Sequence, residues 1–194
     1  MIEVRIHGRG GQGAVIASKL LASAIFAEGK YVQCFPAIGV ERRGAPVAAF
    51  LRVDESFINL RTDIVTPDHV VVLDERLMVV APVTQGLKPG GIILINSART
   101  SDSFEGLENY RVCTVNANQI AIDHGLGSET APIVNTVMAG AFLRVSQLAT
   151  VECLHLAIRH EVPAKMDANI EAASQAYAHM LDSQNRLVEG DAGE

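Results

Sequence analysis

Gly8, Gly10 and Gly13, within the run His7-Gly8-Arg9-Gly10-Gly11-Gln12-Gly13-Ala14, satisfy the pattern G-x-G-x-x-G. The chemistry open to such a run is anion binding. A helix starting directly after it aims unpaired N–H groups and the positive end of its dipole into the turn, and glycines let a ligand come close. Gly11 and Gln12 add a fourth glycine and a side-chain amide. The turn suits something that approaches closely, a phosphate or a neighbouring polypeptide, and a tight turn that binds nothing also fits. A second run, Glu41-Arg42-Arg43-Gly44-Ala45-Pro46, sets two guanidinium groups and a carboxylate in a loop with few apolar residues. Arg42 and Arg43 could make bidentate contacts to phosphates or carboxylates, while a solvated loop with an internal ion pair worth under about 1 kcal/mol would look the same.

Other chemistry finds little support. A dinucleotide site wants an acidic residue at the end of the second strand, to bind ribose hydroxyls, and Gln33, Cys34 and Phe35 stand there instead. His155 and His160 share a helix but are not spaced i, i+4, and the other histidines are isolated, so no metal site is assigned. Cys34, Cys113 and Cys153 are far apart with no C-x-x-C, too few for four-thiolate ligation of an iron–sulfur cluster, and read as buried thiols. No G-x-S-x-G, carboxylate dyad or Cys/His pairing offers catalytic residues. Asn135, in a helix otherwise largely apolar, needs hydrogen-bond partners, and capping a neighbouring loop is the simpler role.

The elements that position the glycine run follow from periodicity. Val4 and Ile6 alternate with charged residues, and Ala17, Leu20, Leu21 and Ala24 repeat at helical spacing. With Gly29 closing that helix and Tyr31 to Phe35 as the next strand, the chain opens on a βαβ unit. Val47 to Val53, His69 to Leu73, Ile92 to Ile95 and Arg111 to Val115 read as further strands, with a helix around Glu75 to Gly86 and a turn at Lys88 to Gly91. From Asn116 the period becomes helical. Pro132 fits the first turn of a helix carrying Ile133 to Val145, and Thr150 fits the cap of a second ending before Pro163. A third spans about 165 to 187, with Ile170, Ala173, Tyr177 and Leu181 on one face. The expected fold is α/β, a Rossmann-like three-layer sandwich with a mostly parallel sheet and a helical C-terminal region. Residues 1–188 form one domain and 189–194 a disordered tail.

Composition agrees. The chain has 194 residues, 48% apolar, with a net charge of −6, enough to bury one sizeable core. Its mean hydropathy of +0.22 is high and suits a surface that meets a partner, yet no run reaches the roughly 18 apolar residues of a membrane span. No stretch of Lys and Arg exceeds two residues, so neither nucleic acid nor an anionic membrane is an expected partner. The N-terminal residues lack an export signal, and a cytoplasmic location is expected.

The glycine run, Phe35-Pro36, Gly39-Val40-Glu41-Arg42-Arg43-Gly44-Ala45-Pro46-Val47, Ala49-Phe50 and Arg52 together resemble the gamma subunit of pyruvate and related 2-oxoacid:ferredoxin oxidoreductases. The likeness continues through Pro67 to Asp74, Gly90-Gly91, Asn96-Ser97, Asn135, Gly140, and Asn169 with Ala172 and Ala173. It implies a subunit, inactive alone, of a complex that converts a 2-oxoacid and coenzyme A to acyl-CoA, carbon dioxide and reduced ferredoxin (EC 1.2.7.-). The implied partners are alpha, beta and a ferredoxin-like delta subunit. Thiamine diphosphate with Mg and the iron–sulfur clusters belong to those partners, and no cofactor is expected on this chain alone. What remains for it is assembly and part of a coenzyme A site, built from Gly8, Arg9, Gly10, Gly11, Gln12 and Gly13 as one element and Arg42 and Arg43 as the other. The wording of the second run resembles pyruvate and branched-chain members. A free-standing nucleotide-binding regulatory domain is the alternative.

Overall fold

The computed structural model describes residues 1–37 and 44–190, and of 181–190 the backbone alone. The glycine run joins β1 (Ile2–Arg9) to α1 (Ala14–Ala27), as its pattern requires. The helical repeat of α1 is its core face, with Ala17, Leu20, Leu21 and Ala24 all buried. Gly29, at φ 94°, ends that helix in a conformation that L side chains resist. The chain continues through β2 (Tyr31–Pro36), β3 (Pro46–Asp54), β4 (His69–Val72), α2 (Leu77–Val80), β5 (Ile92–Asn96) and β6 (Arg111–Val115). Then follow α3 (Ala117–Asp123), the ribbon of β7 (Gly127–Ser128) and β8 (Ala131–Pro132), and the helices α4 (Asn135–Ser146), α5 (Val151–Glu161) and α6 (Met166–Gly190).

The fold is α/β, with a six-stranded sheet in the order β2-β3-β1-β4-β5-β6. β3 is antiparallel to both neighbours, and β1 runs parallel to β4, β4 to β5, and β5 to β6. The opening βαβ unit is therefore present but split, because β3 returns from the edge and inserts between β1 and β2. Alternation along the parallel strands buries both faces: Val71 and Leu94 enter the large core beneath α1 and α3 to α6. Val70, Val72, Ile93 and Ile95 enter a smaller core with Leu77, Val83 and Leu87.

Two expected helices change extent. The segment 75–86 is helical only at Leu77–Val80, because Ala81, at φ −138° and ψ 148°, is held extended by the ring of Pro82 behind it. Pro132 lies in β8, paired with Gly127, and the Ile133 N–H donates to the Leu126 carbonyl at 3.0 Å. These contacts hold the chain extended past Pro132, so α4 starts at Asn135 rather than at the proline. Thr150 does cap α5, accepting from the Cys153 N–H at 3.4 Å. On α6 the buried face is Ala172, Ala173, Ala176 and Met180, while Ile170 and Tyr177 flank it half-buried. No helix among the described residues is long and apolar enough to cross a membrane. Residues 191–194, most of the expected tail, lie outside the described residues.

The charged residues that alternate with Val4 and Ile6 are not solvated. Register sets Glu3 of β1 and Gln33 of β2 on either side of Arg52 in β3. Arg52, 1% exposed, donates to Glu3 Oε1 (2.9 Å), Gln33 Oε1 (3.1 Å) and the Thr62 carbonyl (2.7 Å). Arg5 donates to His7 Nε2 at 2.9 Å and to the carbonyls of Val83 and Gln85, tying the crossover after α2 back to β1. Buried Arg52 is thus paired with Glu3, and buried Arg5 is satisfied by a ring nitrogen and two carbonyls.

Candidate anion site at the glycine turn

In an open α/β sheet the crevice lies at the carboxyl ends of the strands, where successive connections leave for opposite faces. Here that point falls between β1 and β4. The connection from β1 is α1, over the large core, and that from β4 is α2, over the smaller one. The glycine turn ends β1, and Leu73-Asp74-Glu75-Arg76 ends β4, so the topology places the two side by side.

The residues of the turn divide the labour. Gly8 is a packing position, since a Cβ there would lie 3.1 Å from Ala14 Cβ and 3.3 Å from Leu73 Cδ1. Gly11 and Gly13 have φ of 93° and 81°, which only glycine adopts at little cost. The Gly10 N–H donates to the Ala45 carbonyl at 2.9 Å, and the Gly44 N–H donates to the Gly10 carbonyl at 3.1 Å. The described end of the basic loop is thus hydrogen-bonded onto the glycine turn. Two runs separated by some 30 residues in sequence meet there. Arg42 and Arg43, immediately before Gly44, lie outside the described residues.

Arg9 and Gln12 brace the turn through Asp74. Gln12 Oε1 accepts from the Arg9 N–H at 2.8 Å, and Gln12 Nε2 donates to Asp74 Oδ2 at 3.3 Å. Arg9 Nε donates to the same oxygen at 2.8 Å, and Arg76 grips Asp74 with Nε (3.0 Å), its second guanidinium nitrogen (2.8 Å) and its backbone N–H (3.0 Å). Burial pushes the Asp74 carboxyl up, but the bonds from Arg76 and Arg9 outweigh it and hold the group at about 2. The carboxylate is therefore ionised and neutralised by two guanidinium groups.

What is left unpaired is a row of donors. Among the described residues, the N–H groups of Gly11, Gly13, Ala14, Val15 and Ile16 have no acceptor, whereas Gln12 N donates to Arg9 O and Ala17 N to Gly13 O. A helix head of this kind is a ready anion site. Asn135, the first residue of α4, stands against it: a Cβ on Gly13 would lie 2.8 Å from Asn135 Nδ2. Its Oδ1 accepts from the Thr136 N–H at 2.8 Å, so it serves its own helix rather than a neighbouring loop. Motif reading does not place Asp74, Arg76 or Asn135 at this turn. The signal for the first two is the strand-end rule applied to the apolar run Val70 to Leu73. For Asn135 the only signal is that a buried amide must be used.

A dinucleotide arrangement is absent for a structural reason as well. The second strand lies at the sheet edge beyond β3, and Gln33 is committed to Arg52. The three cysteines sit on β2, β6 and α5, all free, with burial pushing the Cys34 and Cys113 thiols up. Among the described residues no group of three or more His, Cys, Asp or Glu could hold a metal ion.

His7 gives a test of the pairing beneath the turn. Burial, and then the Arg5 charge, lower its imidazole from 6.5 to about 4, because Nε2 accepts from Arg5 and a proton there would face a guanidinium. The unfolded chain takes that proton near 6.5, so this contribution is complete above 6.5 and is lost as pH falls towards 4, by up to about 3 kcal/mol. His69, also held down chiefly by burial, adds to the same slope. Thermal melts of His7→Gln should fall less steeply than wild type between pH 6.5 and 4.5. Parallel slopes would show that the fold leaves the His7 imidazole at its unfolded value.

Comparison with known proteins gives a consistent picture. Residues 3–179 match the family described as pyruvate ferredoxin/flavodoxin oxidoreductase. The chain is 50% identical over 184 residues to pyruvate synthase subunit PorC of Methanothermobacter marburgensis, covering 94% of this chain and 99% of that one. It is 45% identical over 183 residues to the pyruvate/ketoisovalerate oxidoreductases common subunit gamma of Thermococcus kodakarensis, covering 91% and 96%. The crystal structure of pyruvate oxidoreductase subunit PORC from Thermotoga maritima superposes with a TM-score of 0.77 at 35% identity, covering 91% and 95%.

Proposed function

Because this chain belongs to the pyruvate ferredoxin/flavodoxin oxidoreductase family, we propose that it is the gamma subunit of a complex oxidising a 2-oxoacid, pyruvate or a branched-chain acid, with coenzyme A and ferredoxin. Within that complex its task is assembly and a hold on the phosphates of coenzyme A. The observation that carries the second part is the row of N–H groups at the head of α1 that have no acceptor among the described residues, with Gly44 and Ala45, just after the Arg42-Arg43 pair, hydrogen-bonded onto the same turn. Arg9 and Gln12 act there as braces, Gly10 as the tie to Gly44 and Ala45, Gly11 and Gly13 as backbone donors in permissive conformations, and Gly8 as the packing point.

Thiamine diphosphate, its Mg ion and the iron–sulfur clusters are assigned to the alpha, beta and delta subunits, and the separated thiols of this chain fit that division. The test is co-expression. All four subunits should purify in fixed ratio with coenzyme A-dependent reduction of ferredoxin, and omission of this chain should abolish it. Activity and composition unchanged without this chain would overturn the reading.

Arg42 and Arg43 are assigned to coenzyme A or to the catalytic subunits. Changing both to Ala should leave the melting temperature of the chain within a few degrees. In the complex it should raise KM for coenzyme A by about tenfold to a hundredfold, or release the subunit, as charge-assisted bonds worth about 1.5–3 kcal/mol disappear. A large drop in melting temperature with KM and assembly intact would make the loop structural instead.

A further inference from the structure

We propose that a cavity at the C-terminal end of α4 binds a small monocarboxylic acid, held end-on by the guanidinium of Arg144. The site lies at the far end of α4 from the glycine turn and does not rest on the coenzyme reading. Arg144, half-buried in the last turn of α4, is stacked over the ring of Tyr177 from α6, 5.6 Å from its centroid. No N–H group of this guanidinium donates a hydrogen bond among the described residues, and Nε is buried without a partner. The dipole of α4 favours a cation in its last turn but supplies no acceptor. A guanidinium partly withdrawn from water with all its donors idle is costly, and such a group awaits an acceptor. Nε is shut off from solvent, whereas the two terminal nitrogens, equally unpaired, are not, so they are the ones that a ligand reaches.

Arg144 lines a cavity of about 280 Å³ together with Lys30, Gln147, Leu148, Ala149 and Tyr177. Its walls are fastened before anything binds. Gln147, at φ 55°, ends α4 in the left-handed region, and the loop behind it is tied to the end of α1 from both sides. Lys30 Nζ donates to the Leu148 carbonyl at 3.2 Å, and the Thr150 N–H and Oγ1 donate to Glu28 Oε2 at 3.0 and 3.1 Å. Glu28, the one acid on the wall among the described residues, is thus committed to the head of α5 and forms no ion pair with Arg144. Charge and shape then choose the occupant. Arg144 and Lys30 against Glu28 leave one positive charge, which a monoanion balances and a dianionic phosphate exceeds. The planar fork of the terminal nitrogens matches the two oxygens of a carboxylate. Leu148, Ala149 and the Tyr177 ring offer apolar surface to a short hydrocarbon tail. Cavities for drug-sized ligands start at roughly 300 Å³, so this one takes an acid of few carbons.

The test is titration of the ¹⁵N-labelled full-length chain with acetate, pyruvate and inorganic phosphate at constant ionic strength. A buried Nε–H exchanges slowly with water and gives its own signal. That signal should shift saturably with both acids, together with the backbone N–H groups of Gln147 and Leu148. Equal affinity for the two acids means that the carboxylate alone is read, and tighter binding of pyruvate means that the 2-oxo group is read as well; either supports the proposal. Arg144→Lys keeps the charge and loses the fork, and should weaken binding by about tenfold or more. An unmoved Nε–H signal with both acids overturns the proposal, as does binding to Arg144→Lys as tight as to wild type. Phosphate moving the same signals as strongly as the acids overturns it too. Should Arg144→Lys fail to fold, Lys30→Met decides, since unchanged affinity there contradicts the charge balance. Failure of both acids to bind, with release of Arg144→Lys from the complex, gives the guanidinium to an acidic side chain of a partner and overturns the proposal.

Discussion

Arg52→Ala is expected to lower the melting temperature of this chain by about 10 °C, the counterpart of a loss of about 3–5 kcal/mol for breaking a buried ion pair from one side. The guanidinium is enclosed by Glu3, Gln33, the Thr62 carbonyl and the ring of Phe35, 5.5 Å away. Truncation would leave the Glu3 carboxylate and two carbonyl-type acceptors facing a void, each a group that water no longer reaches freely. The damage should spread along the segment between β3 and β4, because Thr62 is its anchor to the sheet. Hydrogen exchange should therefore quicken across residues 55–66 before it quickens in β4 or β5. Removing Glu3 at the same time, in Glu3→Leu with Arg52→Met, should recover much of the loss, since an apolar pair of similar volume can replace a buried ion pair. A melt of Arg52→Ala within about 3 °C of wild type would mean the network is dispensable.

Gly140→Val should cost about as much for a different reason. A Cβ on Gly140 would stand 2.2 Å from the Ala173 carbonyl oxygen and 3.0 Å from its Cα, so α4 and α6 touch backbone to backbone. The added side chain cannot turn away from a carbonyl that belongs to the other helix, and the helices must part. Overpacking of this kind costs about 1–3 kcal/mol when side chains can yield, and about 3 kcal/mol or more is expected where the obstacle is backbone. Trimming the partner in the double variant with Ala173→Gly should bring no recovery, because the clash is with the main chain. A rescued melting temperature would show that the methyl of Ala173 sets the spacing instead.

Both substitutions fall on residues that pattern reading passes over, and the reason is instructive. Arg52 and Glu3 look like the polar half of an alternating strand, and alternation says only which residues share a face, not what lies on it. In this sheet an irregular segment with Thr62 lies over that face, so the polar half is buried and must pair with itself. Gly140 looks like an ordinary helix-interior glycine, a mild cost in propensity; its necessity comes from a helix over thirty residues further on. The expected helix after β4 stops short of Pro82, whose effect on Ala81 is local and so legible in the sequence. Pro132 went to a ribbon because the turn at Gly127 holds it there, and nothing within the helix itself announces that.

The strand, glycine turn and helix at the N-terminus, the parallel apolar strands and the capped α5 are legible in the sequence, because each depends on contacts a few residues apart or on backbone conformations allowed to particular residue types. The sequence also marked the glycine run and the Arg42-Arg43 run as the two places where an anion could be held. It takes the folded chain to put β3 between β1 and β2, to hydrogen-bond Gly44 and Ala45 onto Gly10, and to set Asp74 against Arg9 and Gln12. Only it brought Asn135 against Gly13. These are pairings between segments some 30 to 120 residues apart, fixed by sheet order and helix packing, and periodicity within a segment carries no information about which other segment it will meet.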